Sequence, residues 1–269
     1  MATKSKIEWT EVTWNPVRGC TFCSPGCLHC YAARIVARFS GEGVLFQGLA
    51  CMTPDGPRWT NEVVCLEDKL MDPLRWKKPR KIFVNSMSDL FHEKVPFDFL
   101  HRLFEVMQGA DWHSFQVLTK RSQRLAHLSP HLPWADNIWM GVSIENEQYL
   151  HRADDLRGTG ARVKFLSLEP LLGPLRGLNL TGIDWVIVGG ESGPGARPMS
   201  PEWVVEVRDK CQRAGVPFFL KQWGKITNNP DPTDPTATGN DGNANGGRML
   251  EGRTWDQMPA SVHQQVVDP

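Results

Sequence analysis

Cys20, Cys23, Cys27 and Cys30 fall within eleven residues, in the run NPVRGCTFCSPGCLHCYA. Thiols so closely spaced suit iron–sulfur ligation, zinc ligation or disulfide pairing. Zinc sites built from two CxxC pairs usually carry a longer connecting loop, so that two knuckles face one tetrahedral ion. The three residues between Cys23 and Cys27 make a tight connection. A ferredoxin-type cluster with four cysteine ligands has comparable spacings. A fourth use is a [4Fe-4S] cluster held by three cysteines, with one iron open to a small molecule. Spacing alone leaves all of these standing.

Composition narrows the setting. Lys+Arg and Asp+Glu are both 30, so formal net charge is zero. This speaks against a wholly basic nucleic-acid coat, though local patches remain compatible with it. No apolar run approaches the roughly 18 residues that span a bilayer. The opening run MATKSKIEWTEV lacks a signal peptide's apolar segment, so no membrane partner and a cytoplasmic location are expected. In a reducing cytoplasm, clustered cysteines favour metal or redox chemistry over disulfides. Cys51, Cys65 and Cys211 are scattered and are expected as small buried hydrophobes.

The elements that must position the cysteines follow an alternation. A strand is expected in EVTWNP and a helix in CYAARIVARFSG with Gly41 as its stop. An irregular stretch over 42–80 ends in the basic run Arg75-Trp76-Lys77-Lys78-Pro79-Arg80. Strands at 81–86, 114–120, 137–145, 162–170, 184–192 and 216–224 are apolar and rich in β-branched residues. Helical spacings occur at 96–110, 122–128, 147–158 and 201–215. The last has Ser200 as candidate N-cap, Pro201 in its first turn and Gly215 as C-cap. Buried strands alternating with helices predict an α/β fold with a parallel sheet, closed as an open or partial (β/α)6-type barrel over residues 1–226. Residues 227–247 are nearly devoid of apolar side chains and are expected to form a flexible loop. The 248–269 tail regains Trp and Met and is expected to dock on the body.

Chemistry in such barrels sits at the C-terminal ends of the strands. Polar residues collect there: Asn85, Ser86, Ser88 and Asp89; Thr119, Lys120 and Arg121; Ser143, Glu145 and Asn146; Ser167 and Glu169; Gly189, Gly190, Glu191, Ser192 and Arg197; Lys221, Gln222 and Trp223. Together they predict a polar pocket over the mouth. No GxGxxG or GxxxxGK[ST] run occurs, so nucleoside triphosphate use has no support.

The chain also resembles a known family. The runs TWNPVRGC, SPGCLHCYA, PLRWKKPRKIFVNSMSDLFHE, FQVLTKR, GVSIEN, FLSLEPLLGP, IDWVIVGGESGPGARPM, GVPFFLKQWG and GRTWDQMP look like a phage-associated branch of the radical S-adenosylmethionine (SAM) enzymes, distantly similar to the spore photoproduct lyases. The superfamily's usual C-x3-C-x2-C motif fits Cys23, Cys27 and Cys30 literally. The branch motif, C-x6-C-x2-C after an NPxxGC run, instead selects Cys20, Cys27 and Cys30 in the 15–31 loop, with Cys23 as the alternative ligand. The sequence departs from the superfamily in having His29 before the last ligand, and Ser86-Met87-Ser88-Asp89 where Gly-Gly-Glu is usual.

The resemblance implies a radical SAM barrel with a [4Fe-4S] cluster and SAM as cofactors. Reductive SAM cleavage would give a 5′-deoxyadenosyl radical that takes a hydrogen from substrate. It places Tyr31, Ser86, Ser88, Asp89, Ser143, Glu145, Glu169, Gly189, Gly190 and Glu191 as candidate SAM contacts, with Gly189 and Gly190 letting adenine lie on the backbone. Lys120, Glu145 and Lys221 are the candidate catalytic residues. Lys120, Arg121, Arg197, Lys221, Gln222 and Trp223 are the candidate substrate contacts, with the 75–80 run binding phosphates and Trp76 or Trp223 stacking a base. The expected substrate is DNA or a modified nucleoside, with isomerisation of an amino-acid-type substituent on a thymine of phage DNA. The expected reductant is a carrier such as flavodoxin or ferredoxin. DNA photoproduct repair, an electron-transfer Fe–S protein and a structural zinc module are the rival readings.

Overall fold

The computed structural model describes residues 3–5, 7–238 and 246–260. Parts of the expected 227–247 loop and 248–269 tail therefore lie outside the described residues. Seven strands lie parallel, in chain order: β1 Val12–Trp14, β2 Lys81–Val84, β3 Ser114–Thr119, β4 Ile138–Ser143, β5 Val163–Leu168, β6 Trp185–Gly189 and β7 Phe218–Gln222. Each pairs with its neighbours in sequence, as in Trp14 with Val84, Val84 with Val117 and Leu168 with Val188. A short strand, Thr3–Lys4, adds antiparallel to β1 at the edge. The sheet stays open between its first and last strands. This is the partial parallel barrel that the strand–helix alternation predicts.

The helices longer than one turn are α1 Tyr31–Arg38, α2 Phe97–Gly109, α3 Ser122–Leu128, α4 His151–Arg157 and α5 Pro201–Ala214, and a single α-helical turn spans Glu67–Leu70. Among the described residues, the connection from β5 to β6 carries no helix. Gly215 closes α5 in the left-handed conformation, φ 67°, as its position predicts. Ser200 occupies the N-cap position, but its hydroxyl turns to the Glu202 carboxylate instead of a backbone N–H. α1 stops at Phe39, before Gly41.

The two-residue repeat of each strand separates two cores. Ile82, Val84, Val117, Met140, Val142, Leu166, Val186 and Leu220 face the helices. Phe83, Trp139, Phe165, Trp185 and Phe219 face the concave side and, with Trp9, form an aromatic floor. Trp185 sits at its centre, with ring centroids 5.7 to 6.3 Å from Phe165, Phe219, Trp9 and Trp139.

The 42–80 stretch, expected to be irregular, carries short elements. A hairpin, Ala50–Thr53 with Gly56–Trp59, packs on α1, and Val64–Cys65 pairs with Val17–Arg18. Cys211 is buried as expected, whereas Cys65 is half-buried and Cys51 is exposed, on the face of the hairpin opposite the buried Ala50. The tail docks along β7: Trp255 packs on Phe218 at 5.6 Å, and its carbonyl accepts from the Leu220 N–H.

Trp185→Ala empties the centre of the floor and orphans the carbonyl of Gln257, which accepts the indole N–H at 2.8 Å. It is expected to cost about 3–5 kcal/mol, read as a lower urea midpoint.

Candidate active site

The loop after β1 is built to turn the cysteines over the strand ends. The Asn15 Oδ1 accepts from the Ser86 hydroxyl and the Met87 N–H, tying the start of the loop to the end of β2. Gly19 then takes φ 86°, and a side chain there would strike the Glu62 carbonyl. Pro25–Cys27 forms one 3-10 turn, and Cys30 occupies the N-cap position of α1. All four thiols line one cavity of about 140 Å³, which also exposes Tyr31, Trp59, Asn85, Lys120 and Ser143. A second cavity of about 160 Å³ shares Cys27, Cys30, Tyr31 and Lys120, and adds Glu169, Glu191 and Lys221.

The thiols stand in different electrostatic settings. Burial pushes Cys20 up to about 12, helped by Asp89 and opposed by Arg121. Burial also raises Cys30. The Cys23 thiol lies 3.8 Å from the Cys27 sulfur. Its hydrogen bond to Cys27 raises its own pKa and draws that of Cys27 down. Metal ligation would displace these protons, coupling assembly to pH. Among the described residues, no three His, Cys, Asp or Glu side chains are preset around a common metal position. The fit to an iron–sulfur cluster therefore rests on donor chemistry: four soft thiols on one wall, with the Arg121 Nη1 3.8 Å from the Cys23 sulfur and 4.0 Å from that of Cys20.

Below the loop lies a buried polar knot. Glu145 is fully buried. It accepts from the Ser24 hydroxyl at 2.5 Å and from Arg152 Nη1 at 3.0 Å, with the Lys120 ammonium at 3.4 Å. Gly26 lies directly above, where an added Cβ would be 2.6 Å from the Glu145 Oε1. Asp89 is equally committed. It accepts from the Phe91 N–H, the Thr119 hydroxyl, the Lys120 N–H and Arg121. Ser88 donates to the Val17 carbonyl, and Tyr31 donates to the Ser86 carbonyl. Ser143 is buried, and its carbonyl accepts from Arg152 at 2.7 Å.

Across the mouth, Lys221 pairs with Glu169 at 2.8 Å, and the Ser167 hydroxyl donates to the same carboxylate. Burial opposes the charge on Lys120 and Lys221, but Glu145 and Glu169 respectively hold each pKa above its ordinary value. Arg197 donates to Glu191 and to the Pro25 carbonyl, fastening the loop after β6 to the cysteine loop.

The structure thus gathers Tyr31, Ser86, Ser88, Asp89, Lys120, Arg121 and Ser143 around the thiols, and Glu169, Gly190, Glu191, Lys221 and Gln222 beside them. Several expected roles need correcting. Trp223 is fully buried, its indole N–H donated to the Met249 carbonyl, so its ring offers no face to a base. Trp76 and the 75–80 run precede β2, at the end of the sheet opposite the cysteines, and Trp76 packs edge-on against His113. The glycines make room for protein groups. A Cβ on Gly190 would strike the Trp223 carbonyl, and one on Gly189 the Glu169 carboxylate. Arg121 is buried and faces the thiols. Sequence reasoning missed Ser24, Arg152 and Trp59, and placed Asn85 at the mouth without giving it a role. Asn85 carried a usable signal: an asparagine at a strand end tolerates the positive φ, here 61°, that turns β2 toward the cavity.

The chain belongs to the family described as "Protein of unknown function (DUF5131)", whose model matches residues 4–259. No curated protein matches it. Solved structures similar to it include spore photoproduct lyase complexed with dinucleoside spore photoproduct, at 14% identity and TM-score 0.45, covering 91% of this chain and 70% of that one. A double mutant of the same lyase, with bound AdoMet and dinucleoside spore photoproduct, gives the same identity, TM-score and coverage. Among the described residues, no helix is long and apolar enough to cross a membrane.

Arg152→Ala leaves Glu145 buried without its closest cation. A loss of about 3–5 kcal/mol is expected, measured as a lower melting temperature of the metal-free protein. Combining it with Glu145→Gln removes the orphaned charge and should recover part of that loss.

Proposed function

We propose that this chain is a radical SAM enzyme whose [4Fe-4S] cluster is held by Cys20, Cys27 and Cys30. The observation that carries the reading is one loop placing four thiols on the wall of a cavity at the C-terminal mouth of a parallel half-barrel. Cys20 stands close enough to Cys27 and Cys30 for their charges to raise its pKa. Cys23, the exposed member, hydrogen-bonds to Cys27 and is the supernumerary thiol. When bound, cluster and SAM together supply a 5′-deoxyadenosyl radical able to take a hydrogen atom.

The chain's own residues position and exclude. The Glu145 knot fixes the underside of the cysteine turn through Ser24. Arg197 fixes its rim through the Pro25 carbonyl. Lys120 and Lys221 stay protonated beside their carboxylates and offer ammonium groups to the two cavities.

For the substrate, the reading extends to a modified thymine of phage DNA carrying an amino-acid-type substituent, which the enzyme isomerises. What supports this is the resemblance of the long runs to the phage-associated branch. The Glu169–Lys221 pair adds chemical fit, because it presents one acceptor and one cation to a group bearing both an amine and a carboxylate. A one-electron carrier such as flavodoxin or ferredoxin is the proposed partner.

Anaerobic reconstitution is expected to load four irons and four sulfides per chain and to give a reduced EPR signal that changes on adding SAM. Cys23→Ala should retain this cluster, while Cys20→Ala, Cys27→Ala and Cys30→Ala each lose it. Zinc in place of iron, or an EPR signal indifferent to SAM, would count against the assignment. Mass spectrometry of digested phage DNA before and after reaction tests the substrate, and unchanged nucleosides would sink that part.

A further inference from the structure

Arg121 has a geometry that substrate binding does not explain. Its guanidinium is gripped on three sides: Nε donates to Glu93 at 3.0 Å, Nη2 to the Thr21 hydroxyl at 2.6 Å, and Nη1 lies 3.3 Å from the Asp89 carboxylate. The grips are themselves held. His92 pairs with the Thr21 hydroxyl at 3.0 Å, and the Thr119 hydroxyl and Lys120 N–H fix Asp89. The same Nη1 faces the sulfurs of Cys20 and Cys23. Arg121 is 8% exposed, so water screens its charge poorly from those sulfurs.

We infer that Arg121 is a positioning residue for electron entry: a locked cation that donates toward the Cys20 side of the cluster and makes the cluster easier to reduce. The inference rests on the iron–sulfur reading above. A one-electron reduction adds negative charge to a group already surrounded by thiolates. A fixed cation with an N–H aimed at a ligand sulfur stabilises the reduced state more than the oxidised one, and hydrogen bonds to sulfur and local charge are among the known determinants of cluster potential. A mobile, solvated lysine would do this less well, because its ammonium cannot hold all three acceptors and still face the sulfurs. Asp89 and Glu93 orient the fork, Asp89 through the same Nη1 that faces the sulfurs.

The test compares wild type with Arg121→Gln and Arg121→Lys, each reconstituted anaerobically and titrated potentiometrically by EPR, with melting of the metal-free chains as the folding control. Arg121→Gln is expected to bind iron and to show about a tenfold lower reduced-to-oxidised ratio at fixed poise, equivalent to about 59 mV for one electron. Arg121→Lys should fall between it and wild type. Should either variant fail to fold, Thr21→Val decides in its place. It keeps the charge, frees Nη2, and should shift the potential in the same direction by less. Potentials equal to wild type in the variants that fold overturn the inference. So does loss of iron from both folded Arg121 variants, which would make Arg121 an assembly residue. Wild-type protein that takes up no iron–sulfur cluster would instead overturn the functional reading beneath it.

Discussion

The parity of residues along the parallel strands governs this molecule. On the concave side, the odd positions of β4 run Trp139, Gly141, Ser143 and then Glu145. β5 runs Val163, Phe165, Ser167 and then Glu169, and β6 runs Trp185, Ile187, Gly189 and then Glu191. Each series begins in the aromatic floor and ends in a carboxylate. Parallel pairing keeps these series level, since Gly141 is opposite Phe165 and Ser167 opposite Ile187. Polarity therefore rises toward one end of the barrel only, and a slip of one residue in any strand would drive a carboxylate into the helical core. The cysteine loop can close over that end because the end is polar and its carboxylates point inward.

Charges collected there must be compensated, and the compensation shapes the site. Glu145 is matched by Arg152 and Lys120, Glu169 by Lys221, Glu191 by Arg197, and Asp89 by Arg121. Buried pairs of this kind contribute little net stability, because desolvation offsets their attraction, but breaking one is costly. Their effect here is geometric. Three of the four reach the cysteine loop: Glu145 through Ser24, Arg197 through Pro25, and Arg121 toward the Cys20 and Cys23 sulfurs. The loop has little core of its own. Of residues 20–30, Ser24 alone is buried, and that burial comes from the knot.

What was legible in the sequence follows from the same physics. The seven strands were readable because burial on both faces makes each a short apolar run, and Gly215 was readable because a left-handed cap favours glycine. The collection of polar groups at strand ends was readable because chain order in a parallel sheet fixes which end they occupy. Orientation was not. Ser24 and Glu145 are 121 residues apart, and no local pattern marks their contact. Trp223 follows Lys221 in parity, yet β7 ends at Gln222 and the chain turns its indole into the outer core. The hairpin over 50–59 was obscured because Gly and Pro occupy one of its strands. The basic 75–80 run misled for a topological reason: it enters β2 from the end away from the mouth.

On the proposed reading, one of the four thiols is surplus. Four cysteines in eleven residues present a choice that spacing cannot make, since both C-x3-C-x2-C and C-x6-C-x2-C occur in the same run. Position separates them. Cys20 directly follows the positive-φ turn at Gly19, where the Glu62 carbonyl leaves no room for a side chain, and burial raises its pKa. Cys23 lies on the exposed segment beyond it, toward the outer groove lined by Arg124, Tyr149 and His151. On the proposed iron–sulfur reading, the first ligand is therefore the thiol beside the Gly19 turn, and the exposed thiol is the one left over.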